Sequence, residues 1–504
     1  MNTALAIIDR QVLSDGGGLY EMDSLLRQRA CFTSDGLLHI VNGYEADPFL
    51  MAYEDRLSRA RVDFTRTYVT TEELHSIYSD DGDVSGVTRT KAISRLDISD
   101  KQKEIKKIFA RATAVGASDA HFFPTPKGHE LRFRIHGVLE TAQNFVNEDG
   151  HTLLSSLYTS MCELTDVNFR PEIPQDARMK AEFVSECGLF GARVMTRPTL
   201  NGSWMAIRLL YESGFNSTLE KMGYLPEQIA LLMRFIHRTD GIVLITGTTG
   251  SGKSTLLQKL LSMALEDAEY TINLVTIEDP VEYRIPGAQQ TPLSALGWAG
   301  DIANLLRGDP DILMVGEMRD TESAAAGFQG ALTGHGIWST GHTRDALTGI
   351  QRLLELGIDH NLVLDPSLMK GLMNQALTPV LCPHCKVPYS NNKHMVTPDL
   401  QARIELRCVV DNVYLKGEGC NHCNKRGVVG RTAVAEIVAP TLDLMRVYRE
   451  SGKAEAQAFW ITQMGGITKN MHLLRRINEG VVDPRLGEKD VCALDEDLMI
   501  IGGK

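Results

Sequence analysis

Short apolar runs alternate with segments of helical spacing in the second half of the chain. The runs lie at 242–246, 272–277, 311–315 and 336–340. Short buried strands that alternate with helices build a parallel sheet that is covered on both faces. The pattern therefore predicts an α/β domain over residues 219–375.

The chain before this domain shows a different pattern. Apolar residues at helical spacing come first: Ile105, Ile108, Phe109 and Ala112. Strand-like runs follow at Leu131–Ile135 and Gly191–Thr196, and Asn201-Gly202 between apolar stretches is a hairpin signal. We predict a second, mixed α/β domain over residues 99–212.

The first 98 residues carry no motif of known chemistry. Residues 1–80 mix short apolar segments with turn signals, and this N-terminal module stays unassigned. Charged and flexible residues from Ser79 to Gly86 lack apolar periodicity. They predict a linker over residues 81–98.

Composition narrows the class of protein. The 504 residues are 43% apolar and 23% charged, as in a folded globular protein, and a formal net charge of −12 argues against general coating of nucleic acid or anionic lipid. The apolar runs are too short for a bilayer-spanning helix, and the N-terminus lacks a signal-peptide pattern. We expect a cytoplasmic protein that does not bind nucleic acid and meets a membrane only peripherally.

A glycine-rich loop follows the first apolar run of the α/β domain. It matches the P-loop pattern in full and lies between a strand and a helix, as that motif requires. Glycines let backbone N–H groups surround phosphate oxygens, and the next helix points its positive end at them. We predict ATP binding, with Lys253 on the β- and γ-phosphates and Ser254 on Mg²⁺. The predicted nucleotide-binding residues are Gly247, Thr248, Thr249, Gly250, Ser251, Gly252, Lys253, Ser254 and Thr255.

Two acidic groups come directly after apolar strands. The run Ile312–Val315 ends in Gly316 and Glu317, which is the Walker B layout, and an open α/β sheet binds its ligand at this end of its strands. We therefore predict that Glu317 orients or deprotonates the attacking water. In the second group, Glu278 or Asp279 is expected to reach metal or water.

A histidine follows the last apolar run. His342 lies just past 336–340, where an imidazole can sense phosphate or pair with a carboxylate. We predict that role for His342. For His335, at the start of the same run, packing or helix capping is an equally good interpretation.

The nine cysteines include two Cys-x-x-Cys pairs. These pairs are Cys382 with Cys385 and Cys420 with Cys423. In a reducing compartment, four thiolates at such spacings are typical of a closed structural zinc site. We predict Zn²⁺ as a staple for a subdomain over residues 376–430, with free thiols as the alternative. Cys408 lacks such a pair and is interpreted as a small apolar residue.

These motifs, in this order, resemble the type II secretion and type IV pilus assembly ATPases, often called traffic ATPases, over residues 100–440. Four stretches resemble that family's Asp box, Walker B motif, His box and zinc motif: T-I-E-D-P-V-E-Y at 276–283, R-G-D-P-D-I-L-M-V-G-E-M-R-D at 307–320, S-T-G-H-T at 339–343, and the cysteine pairs. Two more resemble its second N-terminal domain: A-S-D-A-H at 117–121 and R-V-M-T-R-P-T at 193–199.

The resemblance implies a fold and an assembly. The expected architecture is α/β, with a RecA-like P-loop NTPase core, a preceding mixed α/β domain of PAS-like fold, a zinc-bound C-terminal subdomain and a helical region over 431–504. The family also implies a homo-hexamer in which Arg193 and Arg208 act as arginine fingers. The implied partners are an inner-membrane platform protein and other pilus or secretion components, which hold the motor at the inner membrane.

The chain departs from the family pattern at three positions. Thr248 stands where proline is usual, His136 where the family has aspartate, and Ala376 where it has arginine. The first change leaves the loop chemistry intact, whereas the other two alter contacts between domains. Residues 1–98 do not resemble the usual N-terminal module, so we expect an unusual docking partner.

Four functions are compatible with these residues. The first is an ATPase motor for pilus assembly or type II-like secretion, and the second is a retraction or conjugation motor of the same superfamily. The family's retraction motors generally lack the tetracysteine motif, which favours assembly. The third is a scaffold that binds nucleotide without useful turnover. The fourth is a nucleic-acid translocase, which the acidic net charge disfavours.

Overall fold

A computed structural model of the chain describes residues 12–14, 20–22, 26–44, 47–60, 62–79, 95–163, 169–211 and 217–501. The chain divides into two compact units, one up to residue 93 and one from residue 94. Most of the predicted linker, 81–94, lies outside the described residues, and a helix already begins at Arg95. Among the described helices, none is both long enough and apolar enough to cross a bilayer.

The N-terminal unit contains a small sheet and two helices. Its elements are β1 Ala30–Phe32, β2 Leu37–Val41, α1 Pro48–Arg59, β3 Thr65–Val69 and α2 Thr71–Ser79. The central strand β2 pairs antiparallel with β1 and parallel with β3. Leu38, Ile40 and Leu50 are fully buried in one cluster, which gives this unit a core of its own.

The second unit begins with a domain built on one antiparallel sheet. Its elements are α3 Arg95–Ala114, β4 Ala117–Thr125, β5 Gly128–Ile135, β6 Val138–Val146, α4 Asn147–Met161, β7 Cys162–Glu163, β8 Gln175–Met179, α5 Ala181–Val184, β9 Leu189–Thr199 and β10 Gly202–Tyr211. The strand order is β6-β5-β4-β10-β9-β8-β7, with every pair antiparallel. The predicted mixed α/β composition is confirmed, and the PAS-like fold stays a prediction.

The predicted elements of this domain fall where the pattern placed them. The four apolar residues at helical spacing between Ile105 and Ala112 lie on α3 and are buried against the sheet. Strands β5 and β9 contain the two predicted runs. The hairpin between β9 and β10 turns one residue earlier than the signal suggested, because Thr199 already pairs with Gly202.

The rest of the unit is a three-layer α/β domain with a C-terminal extension. Its elements up to the cysteine pairs are α6 Leu219–Met222, α7 Pro226–Ile236, β11 Gly241–Thr246, α8 Lys253–Asp267, β12 Leu274–Glu278, β13 Gln289–Pro292, α9 Gly297–Leu305, β14 Ile312–Val315, α10 Thr321–Leu332, β15 Gly336–Gly341, α11 Thr348–Glu355, α12 His360–Val363 and β16 Met369–Leu381. The remaining elements are β17 Val387–Pro388, α13 Pro398–Arg407, β18 Tyr414–Leu415, β19 Val428–Val438, α14 Leu442–Met464, α15 Lys469–Asn478, α16 Pro484–Asp490 and α17 Glu496–Ile501.

The central sheet has the order β13-β12-β14-β15-β11-β16-β19. All pairs are parallel except β16 with β19, so the predicted parallel sheet is confirmed. Strands β11, β12 and β14 are buried along their whole length because helices cover both faces. Parallel strands place their carboxyl ends at one edge, where α/β sheets bind ligands.

The C-terminal third differs from the predicted division. Strand β16 runs across the expected boundary at residue 376 and pairs with β19 over most of its length. The helical region predicted from residue 431 therefore starts as a strand and becomes helical at Leu442. The reason is burial: residues Thr432–Val438 of β19, the last strand of the sheet, are covered on both faces.

A buried histidine joins the extension to the sheet. Nδ1 of His472 on α15 accepts a hydrogen bond from the backbone N–H of Ala435 at 3.0 Å, so Nε2 donates to the carbonyl oxygen of Gly223, also at 3.0 Å. Desolvation lowers the pKa of His472 to about 4, and the charge of Arg476 adds to the effect. The neutral ring thus connects three segments.

We expect His472 to make the stability of the fold depend on pH. The pKa of the ring is near 6.5 in the unfolded chain, about 2.5 units above its value in the folded chain. Its stabilising effect is therefore complete above pH 6.5 and is lost as the pH falls toward 4. Between pH 7 and pH 5, the free energy of unfolding measured in urea should fall by about 2 kcal/mol less for His472→Gln than for wild type. The exposed His360→Gln is the control, and an unchanged pH dependence in H472Q contradicts the assignment.

Candidate active site

The glycine-rich loop has the backbone that a phosphate cradle needs. Gly247, Gly250 and Gly252 have φ values of 149°, 78° and 83°, which side-chain-bearing residues rarely adopt. A Cβ at Gly247 would lie 2.4 Å from the carbonyl oxygen of Gln375. Helix α8 begins at Lys253, directly after the loop, and so turns its N-terminal N–H groups toward it.

Lys253 lies across the loop that precedes it. Its Nζ donates to the carbonyl oxygens of Gly247 at 2.8 Å and Thr248 at 3.1 Å. Desolvation lowers the pKa of Lys253, while Glu317 and Glu282 favour its charged form. The ammonium group is therefore held where anionic phosphate would be attractive.

A cavity of about 290 Å³ opens beside the loop and gathers residues from six segments of the chain. It is lined, among others, by Thr249, Gly250, Lys253 and Ser254 of the loop, by Glu278, Glu282 and Glu317, and by His342 and Arg208. The two acids and the histidine predicted from sequence thus meet the loop around one space. The cavity also has an arginine from the antiparallel domain.

Glu317 is the centre of a polar cluster. Its carboxylate lies 3.4 Å from Nε2 of His342 and 3.5 Å from Nε of Arg319. Arg319 also donates to Asp279 at 3.2 Å. The acid after β14 is therefore connected to the segment after β12 on one side and to the end of β15 on the other.

Glu278 is held more deeply. Its side chain is buried and accepts hydrogen bonds from Oγ1 of Thr276 at 2.7 Å and from Nε2 of Gln290 at 3.0 Å. Burial raises the pKa of Glu278, and the two donors oppose that shift. Of the two acids left open by the sequence, Glu278 is fixed at the cavity wall and Asp279 pairs with Arg319.

The two predicted arginine fingers differ in position. Arg193 and Arg208 lie opposite each other in the β9–β10 pairing. Arg208 lines the cavity and lies 3.5 Å from Glu282, whereas Arg193 lines a neighbouring cavity of about 380 Å³ next to Asp279. The structure brings Arg208 to the site and leaves Arg193 outside it.

Several lining residues were not singled out from sequence. Glu282 and Tyr283 belong to the acidic segment after β12. Arg319 and Trp298 also line the cavity, and the guanidinium carbon of Arg319 lies 5.6 Å from the centroid of the Trp298 ring. Glu282 and Arg319 lay inside recognised motifs, which was an available signal. Trp298 lay in a helix with no motif chemistry.

Gln375 supports the loop from the neighbouring strand β16. Its Nε2 donates to the carbonyl oxygen of Ser251 at 2.7 Å, and its Oε1 accepts from Tyr224. Ala376, where the family has arginine, is buried in the sheet beside it. His335 is outside the cavity lining and binds Thr333 and Gly330 at the end of α10, which agrees with a capping role.

The four cysteines of the two pairs converge on one point. Sγ distances are 3.8 Å for Cys382 to Cys420, 3.7 Å for Cys385 to Cys423 and 3.9 Å for Cys420 to Cys423. Bonds of about 2.3 Å to a tetrahedral zinc ion would set sulfur separations at about 3.8 Å. The set has the size of a closed four-thiolate metal site.

Backbone donors support this cluster. Desolvation disfavours the thiolate of Cys423, yet the N–H groups of Cys420 and Gly427 donate to its Sγ and lower the pKa of Cys423 to about 6. Cys408 lies elsewhere, and burial raises its pKa to about 11. Its environment confirms the interpretation as an apolar residue.

Residues 94–482 match the protein family described as type II/IV secretion system protein. The chain is 35% identical to type II secretion system protein E of Pseudomonas aeruginosa over 356 residues, which are 70% of this chain and 68% of the relative. It is 33% identical to the type IV pilus assembly ATPase PilB of Myxococcus xanthus over 421 residues, 81% and 72% of the two chains.

Two solved structures share the fold. The pilus retraction motor PilT with bound ADP superposes with a TM-score of 0.52 at 22% identity, covering 76% of this chain and 96% of that one. The ATPase DotB of Legionella pneumophila gives 0.53 at 18% identity, covering 80% and 97%. At these identities the likeness concerns the fold alone.

Proposed function

Since the chain belongs to the type II/IV secretion system protein family, we propose that it is a homo-hexameric ATPase motor that powers type IV pilus assembly or type II-like secretion. One observation carries the proposal. The P-loop, Glu317, Glu278, His342 and Arg208 surround a single cavity at the carboxyl edge of the sheet. That arrangement combines an anion cradle, a water-orienting acid and a cation for the transition state.

The residues of the chain divide the work of hydrolysis. The loop from Gly247 to Thr255 binds the triphosphate, and the ammonium group of Lys253 moves from the carbonyl oxygens of Gly247 and Thr248 to the phosphates. Glu317 orients the attacking water and accepts its proton, while His342 holds that carboxylate. Arg208 stabilises charge that develops on the phosphoryl oxygens.

Magnesium fits the oxygen donors of this cavity. The hydroxyl of Ser254 and the carboxylates of Glu278 and Glu317 line it, and such hard oxygen donors are what Mg²⁺ prefers. When bound with ATP, the ion would neutralise phosphate charge. Buried Glu278 keeps its position through Thr276 and Gln290, which prepares that side of the site.

Arg193 enters the proposal through motion. It lies beside Arg208 on the same sheet but lines the neighbouring cavity with Asp279. A shift of the antiparallel domain toward the P-loop would bring both guanidinium groups to the phosphates. We expect the inner-membrane platform protein and other pilus or secretion components to receive the resulting movement, which places the motor peripherally at the cytoplasmic face of the inner membrane.

Zinc fits the cysteine cluster. The four sulfur atoms all lie within 4.8 Å of one another, and four thiolates leave no open coordination position, so the ion would stabilise the fold and take no part in hydrolysis. Cys382 follows β16 and Cys423 lies shortly before β19, so the ion would tie together the two strands that join this subdomain to the central sheet.

Assembly or secretion is favoured over retraction. The relatives at 33% and 35% identity are named for pilus assembly and type II secretion, whereas the retraction motor shares the fold at 22%. The cysteine cluster supports the same choice. A non-hydrolysing scaffold would have no need for a carboxylate, an imidazole and arginines around one cavity.

The replacement Glu317→Gln tests the hydrolytic role. We expect ATP affinity within about threefold of wild type and a loss of kcat of about 10²-fold or more, because the amide cannot accept the proton of water. Lys253→Ala should lose both binding and turnover. Phosphate release and binding of a fluorescent ATP analogue measure the two properties. The exposed Glu322→Gln, five residues away, is the matched control.

The outcomes separate the alternatives. Wild-type turnover in E317Q refutes the role of this acid. Nucleotide binding by the wild-type chain with no phosphate release supports the scaffold, and hydrolysis stimulated by DNA supports the translocase.

Metal analysis tests the cysteine site. We expect about one zinc ion per chain, and Cys423→Ser should lower both the zinc content and the melting temperature because one thiolate and its backbone donors are lost. Cys408→Ser is the control, since this cysteine lies outside the cluster. Equal zinc loss in both variants, or no zinc in the purified wild type, contradicts the assignment.

A deletion strain tests the direction of the motor. For an assembly motor we expect loss of surface filaments or of secreted substrate, restored by the wild-type gene and not by the one encoding E317Q. Surplus filaments would instead identify a retraction motor.

A further inference from the structure

The segment directly after His342 is held at each of its four residues. The carbonyl oxygen of Thr343 accepts from Nδ2 of Asn374 at 2.9 Å, and that of Arg344 accepts from Nζ of Lys469. These two contacts fix the backbone immediately next to the histidine.

The next two residues are held in the same way. Nζ of Lys453 lies 2.5 Å from the carboxylate of Asp345, and the backbone N–H of Ala346 donates to the buried Glu436 at 2.6 Å. All four holding groups come from residues beyond 370, far along the chain. The position of the segment therefore depends on the part of the chain beyond residue 370.

Lys469 lies at the centre of these contacts. Besides Arg344, its Nζ donates to Oδ1 of Asn374 at 2.7 Å. The same Asn374 donates to Oγ1 of Thr246, the last residue before the P-loop, at 2.9 Å. One ammonium group is thus connected to the segment after His342 and, through a single amide, to the start of the P-loop.

The charge of Lys469 also has a partner. Glu436 is buried, and burial raises the pKa of its carboxyl while Lys469 opposes the shift. The backbone N–H of Lys469 donates weakly to the same carboxylate at 3.4 Å. Lys469 is the first residue of α15, which Thr468 caps, so its place is set by how the C-terminal helices pack.

We propose that Lys469 is a positioning residue for ATP hydrolysis, which holds Thr343–Ala346 so that His342 stays on Glu317. The inference rests on the proposed hydrolytic function. Lys469 lies outside the cavity lining and acts through the backbone that carries the histidine. Loss of its ammonium group leaves the Arg344 carbonyl and the Asn374 amide without their donor, and His342 then samples positions away from the carboxylate.

The test compares Lys469→Met with wild type in the full-length chain. Methionine keeps the length of the side chain and removes the charge. We expect kcat for ATP hydrolysis to fall about tenfold, which corresponds to about 1.4 kcal/mol, with KM changed by less than about twofold. KM should change little because the P-loop, which binds nucleotide, keeps its hydrogen bond from Gln375.

A double-variant measurement excludes a merely structural effect. In a His342→Ala background, Lys469→Met should lower kcat by less than about twofold, because the side chain that it positions is absent. General damage to the fold would lower kcat equally in both backgrounds. An equal loss therefore overturns the proposal.

Lys370→Met is the matched control. Lys370 is a similarly covered lysine near the start of β16, four residues before Asn374, and its Nζ pairs with Asp240 at 2.9 Å. Its removal should leave kcat within about twofold. If Lys469→Met does not fold, Lys453→Met replaces it with the same expectations, since it releases Asp345 of the same segment.

The outcomes for the two proposals are distinct. Wild-type hydrolysis together with an unaffected kcat in K469M overturns the positioning role alone. Absence of hydrolysis in the wild type overturns both the positioning role and the proposed function. A tenfold loss that disappears in the His342→Ala background supports both.

Discussion

The register of four parallel strands determines the chemistry of this molecule. Val315 lies opposite Ser339 and Ile277 opposite Val315, while Thr246 lies opposite Gly341. The residues that follow the four strands therefore lie together at one edge of the sheet. Because side chains alternate between the faces of a strand, a slip of one residue would turn an acid away from the cavity and into the helices. The buried, both-faces-covered strands fix that register strongly.

The charges at this edge are arranged around a space for a polyanion. Lys253 donates to the carbonyl groups of its own loop, and Arg319 connects Glu317 with Asp279. Arg208 contacts Glu282. Each cation thus has an oxygen partner that phosphate oxygens can replace. When phosphate binds, these cations exchange protein oxygen partners for phosphate oxygens. That exchange costs less free energy than the desolvation of unpaired charges, so the site is prepared for binding.

Sequence reasoning succeeded where the signal was local. The P-loop and the strand before it are defined by consecutive residues, and the strands 274–278, 312–315 and 336–341 were predicted within two residues at either end. The pairing of strands β16 and β19 was missed, because their register joins residues 47 to 66 positions apart and the cysteine pairs between them suggested a separate subdomain. The different positions of Arg193 and Arg208 relative to the cavity could not be predicted from the sequence either. Both are arginines on neighbouring strands, and only the orientation of their domain decides which enters the cavity.

The chain beyond residue 370 contacts both the antiparallel domain and the segment after His342. Arg426, three residues after Cys423 of the second cysteine pair, makes a two-point ion pair with Glu140 of the antiparallel domain at 2.7 and 3.1 Å. Further along the chain, Lys469 donates to the carbonyl oxygen of Arg344 in the segment after His342. The proposed movement of the antiparallel domain would therefore act on the cysteine subdomain, through Arg426, as well as on the cavity, through Arg208. A rigid subdomain passes that movement to the central sheet through β16 and β19, whereas a loose one would absorb it. A metal ion held by the four cysteines would stiffen this subdomain and so favour transmission over absorption of the movement.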